Sequence, residues 1–198
     1  MNRMRILIYL PIIHTAEDLG GLAGAVAQAR TSEAARQQHE QTISLVWDQI
    51  EQVLESLPIG PSGWRLYQDG LPVCEQEKAI VDELAAGGSR NHRLLQQLIE
   101  RGAELMGTES GDLLVDEYQL QKQLLAIKAP DAEKDVTAAA LLSQRDAWIG
   151  HRINQTLQQG EVGILFIGLL HNVEAHLDAD IQLRYPVGKP ALSSAEVQ

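Results

Sequence analysis

Two apolar runs near opposite ends of the chain each close on a histidine: Arg5-Ile-Leu-Ile-Tyr-Leu-Pro-Ile-Ile-His14 and Gly163-Ile-Leu-Phe-Ile-Gly-Leu-Leu-His171. Imidazole is the commonest neutral metal ligand and the side chain that most readily exchanges a proton near neutral pH. Two imidazoles with one carboxylate form a recognised divalent-metal set that leaves positions open for water and substrate. A metal held in this way lowers the pKa of its bound water enough to supply hydroxide near neutral pH. A second carboxylate could then act as general base, and an arginine could steady a developing oxyanion. A metal-free arrangement is also coherent, with a histidine activating water and a carboxylate orienting that histidine.

Both runs are too apolar to lie anywhere but in a sheet covered on two faces. Between them the chain alternates helical and extended patterns. Thr15-Ala-Glu-Asp18 reads as a helix start with acids in its first turn. Thr42 to Leu57 carries apolar residues at Ile43, Val46, Trp47, Ile50, Val53, Leu54 and Leu57, the spacing of an amphipathic helix. Pro58-Ile-Gly-Pro-Ser-Gly63 ends it, and Trp64 to Gln68 is a short strand closing on the turn Asp69-Gly70. Helices are expected over Glu75 to Ala86 and Asn91 to Arg101, then a third strand at Ala103 to Gly107 and a helix over Leu113 to Ile127. Asp131 to Gln159 is one long helix or two, and Asp180 to Tyr185 alternates like an edge strand. Strands separated by helices of this length need crossover connections. The expectation is one three-layer α/β domain over residues 1–188, with a mostly parallel sheet of about five strands and an enlarged helical middle. Residues 189–198 form a tail expected to be disordered.

In such sheets ligands collect outside the carboxyl ends of the strands. The residues that follow successive strands are His14, Asp69, Glu109 and His171. A helix starting near Gln144 and running about 16 residues covers roughly 24 Å. That nearly cancels the roughly 30 Å of the strand it feeds, which returns Arg145 close to His171. Similar reasoning brings Ser89, Arg90, Asn91 and His92 near Glu109. The candidate metal ligands are therefore His14, His171 and Asp69, and the candidate catalytic groups are Arg145, Glu109 and Asp69. Each has an ordinary structural role as well: Asp69 as a turn residue, Glu109 as a helix-start acid, and Arg145 with Asp146 as a helix-surface pair.

Three C-terminal stretches carry a family resemblance: Arg145-Asp-Ala-Trp-Ile-Gly-His-Arg-Ile-Asn154, Leu157-Gln-Gln-Gly-Glu161 and Ile164-Leu-Phe-Ile-Gly-Leu-Leu-His171. Together they resemble the TraB/PrgY-type proteins, related to the erythromycin-esterase-like and ChaN-like group. That pattern has an arginine opening a helix, a glycine turn and a strand ending Gly-x-x-His, as in Gly168-Leu-Leu-His171. At the N-terminus Pro11-Ile-Ile-His14 keeps the family's histidine without its glycine, and Asp69 stands where a glutamate is usual, with Glu109 a competing candidate. The resemblance covers about a third of the chain. It implies a metal-dependent, hydrolase-like site for peptide or ester bonds.

Composition narrows the alternatives. The 198 residues carry a formal charge of −11, with 16 Lys and Arg against 27 Asp and Glu. So acidic a chain repels phosphate backbones, and it contains no basic run, which disfavours nucleic acid. Gly20-Gly-Leu-Ala-Gly24 lacks the Lys-Ser/Thr and GxGxxG spacings of nucleotide loops. The first apolar run is too short for a membrane span and lacks a cleavage site after it, so a cytoplasmic protein is expected. The lone Cys74 allows no internal disulfide and is expected to be a small buried side chain. Beside a hydrolase acting on a small-molecule or peptide substrate, two readings compete. One is a non-catalytic ligand-binding or regulatory protein using the same polar edge. The other is an interaction module in which the Ala/Gln-rich helices from Gly24 to Leu57 pair in a homodimer.

Overall fold

The structure is a computed structural model and describes residues 4–13, 33–125 and 132–189. Its elements are β1 (Arg5–Ile12), α1 (Glu33–Ser56), β2 (Trp64–Gln68), α2 (Glu77–Ala86), α3 (Arg90–Glu100), β3 (Glu104–Met106), α4 (Gly111–Leu125), α5 (Ala132–Thr156), β4 (Val162–Gly168), a 3-10 turn (Val173–His176) and β5 (Ile181–Arg184). The strands form one five-stranded sheet in the order β3-β2-β4-β1-β5, and every pairing among them is parallel. The three-layer α/β expectation holds.

Period-two alternation sorts each strand's side chains onto two separate cores. Ile8, Leu10, Ile12, Leu66, Ile164 and Phe166 face the layer built from α1, α2 and α3, where Trp47, Ile50 and Leu54 of the amphipathic α1 are buried. Leu7, Tyr9, Tyr67, Leu165 and Ile167 face Ile149, Ile153 and Leu157 on the opposite side. β1 and β4 are fully paired from Ile6↔Val162 to Ile12↔Gly168, which is why both runs had to be apolar throughout. β5 pairs only as far as Ile8. Among the described residues, one flank of β1 therefore has no strand at Pro11, whose missing N–H is tolerated only where no ladder needs it.

Two expectations need correction. No helix begins near Gln144: α5 is a single helix in which Arg145 lies mid-way. At 25 residues it is roughly 37 Å long, against roughly 23 Å for the seven-residue β4. Its first turns therefore overshoot the carboxyl edge of the sheet and become a wall standing over it. Cys74, expected to be buried, is exposed, because it sits in the turn between β2 and α2 and not in an element with an inward face. The expected helix start at Thr15 to Asp18, like His14, lies outside the described residues.

Close approach fixes one glycine. A Cβ on Gly150 would stand 2.5 Å from the Cβ of His176 and 3.0 Å from its carbonyl oxygen, where α5 meets the 3-10 turn. Helix propensity alone would make Gly150→Ala stabilising by about 1 kcal/mol. The overlap with backbone reverses the sign, and a loss of about 1–3 kcal/mol is expected in urea unfolding.

Candidate functional site

The ends of β2 and β4 lie side by side, with the end of β1 next to β4, so residues distant in sequence leave the sheet together. Above them is a cavity of about 610 Å³ lined by Asp69, His92, Glu117, Arg145 and His171 among others. This is the carboxyl edge, where the strand-end residues were expected to gather.

Asp69 follows β2 directly, and Gly70 at φ +76° turns the chain away. The turn role and the site role coincide, since the turn is what leaves the Asp69 carboxylate at the edge. Its Oδ2 accepts the N–H of Gly168 at 2.9 Å, which ties the β2 turn to the end of β4. Glu109 reaches the same place from the loop after β3, and its Oε1 accepts the Gly70 N–H at 2.7 Å. The overshoot of α5 carries Arg145 above both acids. Its Nε and Nη2 donate to Glu109 Oε2 and Oε1, each at 2.7 Å, and Nη2 also donates to Asp69 Oδ1 at 2.8 Å. On the remaining edge Nη1 stands 2.7 Å from Glu117 Oε1 of α4. Asp69 and Glu109, the two competing carboxylates, both hold one guanidinium.

His171 completes the group. Its Nδ1 is 2.6 Å from Asp146 Oδ1, and Asp146 Oδ2 accepts the N–H of Asn172 at 2.9 Å. Nε2 faces Asp69 Oδ2 at 3.5 Å, an ion-pair distance and too long for a good hydrogen bond. Burial pulls the imidazole pKa down, but the hydrogen bond with Asp146 and the close negative charge of Asp69 outweigh it and raise it to about 9. Burial pushes the Glu109 carboxyl up; Arg145 opposes this and Asp69 adds to it, and the balance lies above the usual carboxylate range. Arg145 is buried, yet Glu109, Asp69 and Glu117 keep its charge more firmly than in water.

Two of these residues had no sequence signal assigned to chemistry. Asp146 read as half of a surface pair, but consecutive helix residues point about 100° apart. Arg145 turns to Asp69 and Glu109 while Asp146 turns to His171, and both are buried. Glu117 lies in the acid-rich stretch Gly111 to Glu117, whose spacing does not fit a calcium loop and points to no other chemistry. Of the group around Ser89, His92 lines the cavity and its Nδ1 is 2.7 Å from Ser89 Oγ. Arg90 is committed elsewhere, to Asp48 and Glu51 of α1. His14 lies outside the described residues, while Ile12 and Ile13 just before it line the cavity.

The donor chemistry suits a metal in part. A histidine whose far nitrogen is fixed by a carboxylate is the usual form of a metal-ligating imidazole. That leaves His171 Nε2 and Asp69 Oδ2 side by side as two donors. Among the described residues, no group of three or more His, Cys, Asp and Glu side chains is arranged to hold a metal ion. No helix among them is long and apolar enough to cross a membrane. No family model, curated protein or solved structure matches the chain.

Proposed function

We propose that the protein is a hydrolase of peptide or ester bonds, of the TraB/PrgY-like kind that its C-terminal motifs resemble. The observation that carries this reading is the Asp146–His171–Asp69 array at the cavity: one histidine with Nδ1 fixed by a carboxylate and Nε2 directed at a second. Asp146 holds the ring so that Nε2 is the nitrogen that exchanges a proton with water or the leaving group. Asp69, anchored by Arg145 and the Gly168 N–H, keeps that nitrogen oriented and supports its positive form. Arg145 brings a preorganised cation to the cavity wall, the charge needed opposite a developing oxyanion. Glu109 fixes that guanidinium from below in a two-pronged pair, so orienting it costs nothing during reaction.

A divalent metal would be held by His171 Nε2 and Asp69, with His14 as a further candidate, and when bound it would supply hydroxide near neutral pH. Proton and metal compete for Nε2, so uptake would be favoured as pH rises.

The test is turnover of p-nitrophenyl esters and chromogenic peptide amides by chelator-treated protein, with and without added Zn²⁺ or Mn²⁺. His171→Ala is expected to lower kcat by about 100-fold or more, and Asp146→Asn by about 10–100-fold. Turnover indifferent to both substitutions, or none on either substrate class, would overturn the reading. Metal independence alone would remove only the metal.

A further inference from the structure

Arg145 Nη1 differs from the other two nitrogens of its guanidinium. Nε and Nη2 are held by Glu109 and Asp69, which are buried, whereas the Nη1 partner Glu117 keeps 36% of its side chain exposed. Arg145 and Glu117 both line the cavity, and Nη1 is the nitrogen that faces Glu117. Turning Glu117 into water would expose one edge of a cation that the rest of the site holds rigidly.

Much of the cavity lining is aliphatic, beside Gln68, His92 and Tyr118. Ile80 and Leu84 of α2, Leu114 of α4 and Leu142 of α5 line the cavity, and Leu169 and Leu170 continue it to the surface. The last two are 46% and 79% exposed. We propose that Arg145 Nη1 is the head-group site for a carboxylate on an aliphatic chain, which displaces Glu117 and lays its chain along these residues. The exchange is neutral, one carboxylate for another. A phosphate would bring a second negative charge into a site that already holds Asp69, Glu109, Asp146 and Glu117 against Arg145 and His171. A volume of about 610 Å³ is in the range of small-ligand sites.

This rests on the hydrolase reading for its chemical meaning, since an aliphatic carboxylate is the acid product of cleaving an acyl ester or amide. Water's oxygen bonds to the acyl carbon, the acyl C–O or C–N bond breaks, and water's protons pass to the leaving alcohol or amine and to bulk solvent. The inference narrows the substrate to acyl compounds of aliphatic acids.

Titration calorimetry with octanoate and its uncharged counterpart octanol tests it without requiring turnover. Glu117→Ala is expected to bind octanoate about tenfold more tightly than the wild type, with octanol unchanged. From hexanoate to decanoate affinity should rise about fourfold per methylene. Leu142→Trp, which fills the cavity, should weaken both ligands about tenfold or more. Equal octanoate affinity in wild type and Glu117→Ala, octanoate no tighter than octanol, or no effect of Leu142→Trp would each overturn the proposal. Ester turnover without octanoate binding would leave the hydrolase and remove the head-group site. Octanoate binding without any turnover would do the reverse.

Discussion

Arg145→Met is expected to cost about 3–5 kcal/mol of unfolding free energy at pH 7, the largest loss for any single substitution at the cavity. The guanidinium itself is not the main reason. Glu109 is fully buried and Asp69 nearly so, and removing their shared cation leaves two buried carboxylates close together. Methionine replaces the volume but none of the charge. The loss must depend on pH. Without Arg145 the folded-state pKa of Glu109, already raised, moves further above its unfolded value. A carboxyl raised in this way is destabilising above its unfolded pKa, and the penalty grows as pH rises towards the folded value. Urea midpoints for wild type and Arg145→Met should therefore converge on acidification towards pH 4.5 and diverge above it. Adding Glu109→Gln should restore more than half of the loss, because the amide oxygen can still accept the Gly70 N–H while the buried charge is gone. A double variant no more stable than Arg145→Met would show that the pair is not what holds the edge together.

Much of this arrangement was legible because of how parallel sheets are built. β1 and β4 had to be central, since only a strand paired on two sides and covered on both faces can be as apolar as Ile6 to Ile12 or Gly163 to Gly168. Their ends then had to lie together, along with Asp69 at the end of β2. Arg145 was placed correctly by an argument whose premise failed: α5 does not begin near it, but the C-terminal part of α5 spans the height of β4 as a shorter helix would. The overshooting turns, invisible in a pattern of alternating polar and apolar residues, supply the wall that makes the edge a cavity.

Asp146 and Glu117 were illegible for a different reason. An acid on a helix reads as solvated unless the element opposite is known, and nothing in the local spacing of Asp146 reports that the loop after β4 brings His171 to it. Glu117 depends on α4 packing beside α5, a helix–helix contact that periodicity does not encode. Charge partners across elements are decided by topology, and only strand ends have their position fixed by the sheet itself.

The His171 array makes the second large prediction. Its imidazole pKa of about 9 lies above the unfolded value near 6.5, so the charged ring is stabilised by folding. The difference corresponds to about 3 kcal/mol. For a raised histidine that contribution is fully present below about pH 6.5 and is lost as pH rises through about 9. Asp146→Asn should remove the part that Asp146 supplies, Asp69 supplying the rest. Asparagine offers one acceptor oxygen where Asp146 uses two, so either the ring N–H or the Asn172 N–H loses its partner. In chelator-treated protein the wild type should exceed Asp146→Asn in stability by about 1–3 kcal/mol at pH 6, with the gap narrowing steadily between pH 6.5 and 9. The ring C–H resonance of His171 should titrate near pH 9 in the wild type and at least one unit lower in the variant. A gap that stays constant across that window would mean that Asp146 merely packs, and that the imidazole it faces is not held as a cation.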